Sequence, residues 1–257
     1  MKANVLVCCG CQLNILCRLK TANNMKYTYL LIDFFTIIVP FLFSFHPRLK
    51  FHKTWRSFFP AVLITGLVFV LGDVYFTHLG VWGFNPTYLI GLKIGNMPIE
   101  EILFFLCIPF SCVFTFHCLN ILLKLKLAEK TTNLITYFFI AMGFVGGFYF
   151  LDQLYTTVTL FSLALLLIVA KFVLKVNWLD RFFLVYLILL IPFTIVNGLL
   201  TGTMLDAPVV WYNSNEIIGI RMLTIPIEDI FYGMNLILLN LLIYLGLEKR
   251  LSTDHQN

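Results

Sequence analysis

Charge is what this sequence has least of. Only 12% of its 257 residues are Asp, Glu, Lys or Arg, against 60% hydrophobic ones and a mean hydropathy of +0.91. A soluble domain of this length carries about a quarter charged residues, so the shortage excludes one and makes the chain a polytopic membrane protein. No basic run interleaved with aromatics lies in a soluble segment, which argues against nucleic acid as a partner. No Gly-x-Gly-x-x-Gly follows a strand-like run, so no dinucleotide cofactor is expected, and neither is a metal. The seven cysteines are odd in number and show no disulfide spacing. Cys8, Cys9, Cys11 and Cys17 sit in the first two dozen residues, where Cys8-x-x-Cys11 is a lone pair with no second pair or nearby His and only a weak zinc signal. Cys107, Cys112 and Cys118 lie inside one hydrophobic span, where Cys behaves as a small apolar residue.

What the sequence has instead is long apolar runs. Residues 1–24 lack one and are read as an N-terminal extension outside the fold, either an over-extended start ahead of Met25 or a short disordered tail. Seven segments then suit membrane helices of about 20 residues: Tyr29–Phe45, Phe58–Phe76, Pro98–Leu123, Leu134–Leu151, Val158–Leu174, Phe182–Leu200 and Pro226–Leu247. Basic residues gather in alternate loops (Arg48, Lys50, Lys53 and Arg56; Lys124, Lys126 and Lys130; Lys171, Lys175 and Arg181; Lys249 and Arg250). The positive-inside rule puts those loops and the C-terminus in the cytoplasm and the N-terminus outside, in a cytoplasmic membrane. The two longest loops, about 77–97 and 201–225, are poor in charge and rich in aromatics, Gly and Asn, and are expected to pack against or into the membrane.

The few acids are unevenly placed. Met97-Pro98-Ile99-Glu100-Glu101 and Ile225-Pro226-Ile227-Glu228-Asp229 each open an apolar span. Carboxylates beside hydrocarbon are costly, so an acidic pair at a membrane boundary marks a functional site by default. The plain alternative is a good helix start, since Pro suits the first helical position and acids suit the helix dipole. The second copy weighs against it. A shift of 128 residues lays Asn85 on Asn213, Ile90 on Ile218, Gly91 on Gly219, Glu100 on Glu228 and Glu101 on Asp229, with Phe84 on Tyr212, Lys93 on Arg221 and Phe104 on Tyr232 as near matches. The same shift lays helix one on five and two on six. The fold class is therefore all-α integral membrane, seven transmembrane helices arranged as two parallel three-helix repeats plus one linking helix. The units are residues 25–125, the linking helix 126–155, residues 156–250, and a cytoplasmic tail 251–257. Parallel repeats commonly bracket a site at their interface.

The chemistry on offer is acid–base. An apolar setting favours the neutral carboxyl and a helix N-terminus the anion, so the two influences oppose. Neighbouring helix positions project about 100° apart, so one carboxyl of each pair points at a substrate and the other supports it. Phe84, Tyr88, Phe104, Phe105, Tyr212, Phe231 and Tyr232 surround the mouths, as a packed interface belt or as faces for a cation. Asp73 sits at the same end of helix two and either lines the site or caps the helix. Lys93 and Arg221 are placed to pair with the carboxylates, with His78, Asn85 and Asn213 as weaker candidates and His117 as structural.

The paired Pro-Ile-Glu-Glu and Pro-Ile-Glu-Asp starts resemble the small membrane-integral lycopene cyclases. So do Val81-Trp82-Gly83-Phe84-Asn85 and Trp211-Tyr212-Asn213 before Gly219-Ile220-Arg221. In that family two three-helix units occur as subunits or fused through an extra helix, and this chain is similar to the fused form from Met25 to about Arg250. The resemblance implies carotenoid biosynthesis by an intramolecular lyase or isomerase. Lycopene beta-cyclases of this kind close β-ionone rings on lycopene, giving γ- and β-carotene, by acid–base carbocation chemistry without a redox step. Its partners are lycopene in the bilayer and, by the same resemblance, other carotenoid-pathway enzymes. Glu100 and Glu228 are the expected main acid–base residues, with Glu101 and Asp229 as their partners. Asp73, Trp82, Phe84, Asn85, Phe104, Tyr212, Asn213, Arg221 and Tyr232 are the expected substrate-binding or cation-stabilising set. The alternatives are an intramembrane glutamate-type protease, which expects an Arg where this chain has Phe104 and Phe105, and a non-catalytic small-molecule transporter. A retinal protein is excluded by the lack of a Lys in the seventh span as drawn, and prenyl transfer by the lack of Asp-rich pairs for Mg²⁺.

Overall fold

A computed structural model of the chain describes residues 25–123 and 126–254. The extension 1–24 with its Cys8-x-x-Cys11 pair, Lys124 and the last three residues of the tail lie outside the described residues. Among the described residues seven helices form in the expected order: α1 (Thr28–Phe43), α2 (Trp55–Leu79), α3 (Ile99–Leu122), α4 (Glu129–Tyr149), α5 (Leu154–Ile168, running on through a π turn to Val173), α6 (Leu179–Leu200) and α7 (Ile227–Asp254). All but α1 are long and apolar enough to cross a membrane. α1 has 16 residues, about 24 Å, against a hydrocarbon core of about 30 Å. α7 outruns its expected end and takes in Lys249, some 30 Å along the helix from Asp229.

Helix α1 packs on α3 and α5 on α7, while α2 is wedged between α3 and α7. The fourth helix lies on α5, and glycine makes that contact possible. A Cβ at Gly143 would come within 2.7 Å of the Leu160 carbonyl oxygen, and one at Gly147 within 2.8 Å of the Phe161 ring. Small residues let membrane helices approach backbone to backbone.

The two long loops are folded, with Trp82, Tyr88, Val209 and Ile217 buried in them. They pair with each other through β1 (Trp82–Phe84) and β4 (Val210–Tyr212), antiparallel, with Trp82 opposite Tyr212, Gly83 opposite Trp211 and Phe84 opposite Val210. Under exchange of positions 128 apart this register maps onto itself. So do the flanking bonds, Asn85 N–H to the Val209 carbonyl and Asn213 N–H to the Val81 carbonyl, each 2.8 Å. Two short hairpins then lead into the helices: β2 (Lys93–Ile94) with β3 (Met97–Pro98), and β5 (Arg221–Met222) with β6 (Ile225–Pro226). Pro98 has extended backbone angles, φ −62° and ψ 147°, and caps α3 from outside. The helix begins one residue after the expected proline start.

Candidate functional site: a carboxyl cluster over an apolar cavity

The acidic pairs occupy the first turns of α3 and α7, and all four carboxyls are buried. Within each pair the two side chains part company. Glu100 turns to its own loop, where Oε1 accepts the Ile90 N–H at 2.6 Å. Glu228 does the same with the Ile218 N–H at 2.6 Å and also accepts the Thr156 hydroxyl at 2.8 Å. Neither lines the cavity described below, although sequence reasoning favoured these two as the main pair. Glu101 and Asp229, expected as their partners, do line it. Ile90 and Ile218 are 128 apart, as are Glu100 and Glu228, so both loops are tied down alike.

The cavity-facing carboxyls have different company. Glu101 Oε2 accepts the Tyr29 hydroxyl at 2.5 Å, and Glu101 lies within electrostatic reach of Asp73. Asp73 also accepts the Tyr232 hydroxyl at 2.8 Å. Asp229 has both oxygens occupied by phenols, Tyr155 at 2.6 Å and Tyr212 at 2.9 Å. Burial, then the charge of Asp229, push the Tyr212 phenol well above its ordinary pKa, which keeps it a neutral donor. Asp229 lies within electrostatic reach of both Glu101 and Asp73, so three carboxyls converge. Asp73 therefore lines the site and is not a helix cap.

Aromatic rings wall the cluster. Tyr155 lies 5.0 Å from Trp82, 5.6 Å from Tyr232 and 5.9 Å from Tyr212, centroid to centroid, and Phe104 packs against Tyr29 at 6.2 Å. Their faces are suited to a cation held among them. Below the carboxyls opens a cavity of about 600 Å³, within the range of small-molecule sites. It follows α3 from Glu101 to Thr115 and α6 from Thr201 to Tyr186, with α1 and α7 completing the wall. Along α3 that is about 21 Å.

The remaining expected residues are placed as follows. Trp82, Phe104, Tyr212 and Tyr232 line the cavity. Phe84 packs against the surrounding core without lining it. Asn85 and Asn213 shape the loops, each accepting the N–H two residues on at 3.1 Å. Arg221 makes no ion pair with the carboxylates among the described residues; it donates to the Thr224 carbonyl at 2.6 Å, its guanidinium 6.0 Å from the Tyr212 ring centroid. Lys93 is exposed on β2. His117 binds the Leu49 carbonyl at 2.8 Å, away from the cluster, as expected of a structural residue. Among the described residues no group of three or more His, Cys, Asp or Glu is placed to hold a metal ion.

Sequence reasoning missed Tyr29, Tyr155 and Asp33. The two tyrosines lie 72 and 74 residues before the carboxyls they hold, so a rigid shift of 128 misaligns them by two; a two-residue gap in the repeat superposes them. Asp33, buried four residues beyond Tyr29, has neither oxygen in a hydrogen bond among the described residues, and it interacts electrostatically with Glu101 and Glu100.

Helices long and apolar enough to cross a membrane, closing on an apolar cavity with carboxyls at one end, define an integral membrane protein with a buried carboxyl cluster. The family model described as lycopene cyclase matches residues 26–119 and again 152–247, well over half of the chain, and the chain belongs to the lycopene cyclase family. The offset between the two matched segments is 126 at their starts and 128 at their ends, the same two-residue gap that separates the tyrosines. No curated protein and no solved structure matches the chain.

Proposed function

We propose that this protein is a lycopene beta-cyclase that isomerises the ψ-ends of lycopene to β-ionone rings, with one acid–base centre assembled from both halves of the chain. The observation that carries this reading is the asymmetry of the carboxyls. Glu101 lies beside a second buried carboxyl, Asp73; two like charges in an apolar setting favour a shared proton, and the pair is the proton source. Asp229 is held by two phenol donors, which favour the carboxylate, and it is the proton acceptor.

The reaction needs little more. The Glu101–Asp73 pair protonates the terminal double bond of the ψ-end and leaves a tertiary cation. An internal double bond attacks that centre, forming the ring C–C bond and moving the positive charge into the ring. Asp229 removes a ring proton and the electron pair becomes the ring double bond. One proton is gained and one lost, so substrate and product are isomers and no redox partner is consumed. Trp82, Tyr155, Tyr212 and Tyr232 present ring faces and Phe104 excludes water while the cation exists. Glu100 and Glu228 hold the loops that close the site.

The two halves act as parallel three-helix repeats joined by α4, a reading supported by the reciprocal β1–β4 register and by the matched loop ties of Glu100 and Glu228. The carboxyl end faces the outer side of the cytoplasmic membrane and the basic loops the cytoplasm, as the distribution of Lys and Arg suggests.

The test is expression of the full chain in a bacterial host that accumulates lycopene, with the pigments resolved by chromatography. The wild type is expected to yield γ- or β-carotene, and Glu101→Gln and Asp229→Asn to leave lycopene intact at normal protein level. Unchanged lycopene with the wild type present in the membrane overturns the reading.

A further inference from the structure

The cavity does not close on all sides. Several of its lining residues also look outward: Leu31 is 47% exposed, Phe35 67% and Ile195 62%, and Pro192 is exposed as well. These four belong to α1 and α6, two helices that meet only marginally, because α1 packs on α3. Their depths agree. Thr28 marks the mouth end of the cavity on α1, and Thr201, the residue after α6, marks it on the other side; Phe35 lies seven residues and Ile195 six residues further in, about 9–10 Å along their helices. Phe35 and Ile195 thus face nearly the same level of the apolar belt from opposite sides of one gap.

Both helices carry a proline on the cavity wall, Pro40 and Pro192. An interior proline leaves the carbonyl four residues back without its helical partner. For Pro40 that is the Thr36 carbonyl, which instead accepts the Ser111 hydroxyl from α3 at 2.8 Å. This bond ties α1 to α3 at the depth of the gap.

We propose that the gap between α1 and α6 is a lateral portal through which linear carotene enters from the bilayer, and that it holds the unreacted part of the polyene while one end lies under the carboxyl cluster. The proposal rests on the cyclase reading above. A carotene is dissolved in the hydrocarbon region, so a side entrance spares it any passage through water. The wall of the portal is apolar, and the polyene leaves it at a depth where only lipid tails surround it. One end is engaged at a time, and the far end extends into the membrane. A second ring then requires the monocyclic product to withdraw and return reversed, so the monocyclic carotene passes through the bilayer between the two events.

The test narrows and widens the portal in the full chain, in lycopene-containing bacterial membranes. Leu31→Trp and Ile195→Trp are expected to slow lycopene consumption about tenfold or more, the scale of steric exclusion from a fitted site. Leu134→Trp on the exposed face of α4, outside the cavity, is the control and keeps the wild-type rate. Phe35→Ala and Ile195→Ala, which widen the gap, are expected to slow lycopene consumption less than the Trp variants do. In an Asp229→Asn background, where binding continues without chemistry, the Trp variants are expected to lose co-purified lycopene per mole of protein, read by visible absorption, so that a lower protein level cannot mimic the effect. Wild-type turnover in both Trp variants, or equal loss in the widened ones, overturns the portal. An inactive wild type overturns the cyclase reading instead, and the bound pigment in the Asp229→Asn background still reports on the portal.

Discussion

Two adjacent carboxyls in a helical turn leave the axis about 100° apart, and here that angle divides labour. Glu100 and Glu228 each accept a backbone N–H of the preceding loop, a task that glutamine's carbonyl performs equally well. Glu100→Gln and Glu228→Gln are therefore expected to cyclise lycopene within a few-fold of wild type, whereas Glu100→Ala strands the Ile90 N–H and costs about 1–3 kcal/mol of stability, seen as a lower thermal midpoint. Glu101→Gln and Asp229→Asn keep the shape but not the proton chemistry, and the rate is expected to fall by about 10²–10⁴, the usual worth of a positioned acid or base. Tyr155→Phe and Tyr212→Phe each strip one donor from Asp229. Each is expected to slow cyclisation by about tenfold or more, and the double variant further, because a buried carboxylate oxygen without a donor costs about 1–3 kcal/mol. Initial rates of lycopene loss from washed membranes measure the effects on cyclisation.

At the scale of elements, the helices were legible because each spans an apolar run bounded by charge, and all seven appear where hydropathy places them. The loops were legible only as unusual. A three-residue ribbon such as β1–β4 leaves no periodicity to read, and its key contact is between chains of sequence far apart: a Cβ on Gly83 would come within 2.4 Å of the Trp211 ring. Which carboxyl of a pair faces inward depends on how the helix is rotated against its neighbours, a packing outcome that the local sequence does not encode. Tyr29 and Tyr155 were hidden by the two-residue gap, since a repeat tested only by rigid shift compares the wrong turns of α1 and α5. The ribbon makes its own prediction. Gly83→Ala is expected to lower thermal stability by about 1–3 kcal/mol through overpacking and to depress cyclisation by displacing Tyr212 from Asp229. Gly72→Ala on α2, where an added Cβ meets nothing within 4 Å, is expected to raise stability by about 0.5–1 kcal/mol. Thermal unfolding of both variants in one detergent makes the comparison.

At the scale of the molecule, neither half contains a complete site. The first supplies Tyr29, Asp73, Trp82 and Glu101; the second supplies Tyr155, Tyr212, Asp229 and Tyr232. The halves are interlocked at the cluster itself, because Tyr232 of the second donates to Asp73 of the first across 159 residues of sequence. The positions that break the repeat are the ones that make this possible. Asp73 aligns with Thr201 and Tyr212 with Phe84 under the 128-residue shift, so a carboxyl partner exists only for Glu101 and a second phenol only for Asp229. A symmetric pair of units would present two like sites, whereas this one presents two carboxyls with different partners to a single cavity. It follows that residues 1–125 and 126–257 expressed separately should each leave lycopene untouched, although each inserts its own helices. Co-expressed, the two pieces should recover cyclisation at a rate below that of the intact chain, because the covalent link through α4 is replaced by association in the membrane. Ring formation by either piece alone would mean that proton donor and acceptor reside in one unit, and the division of roles between Glu101 and Asp229 would have to be abandoned.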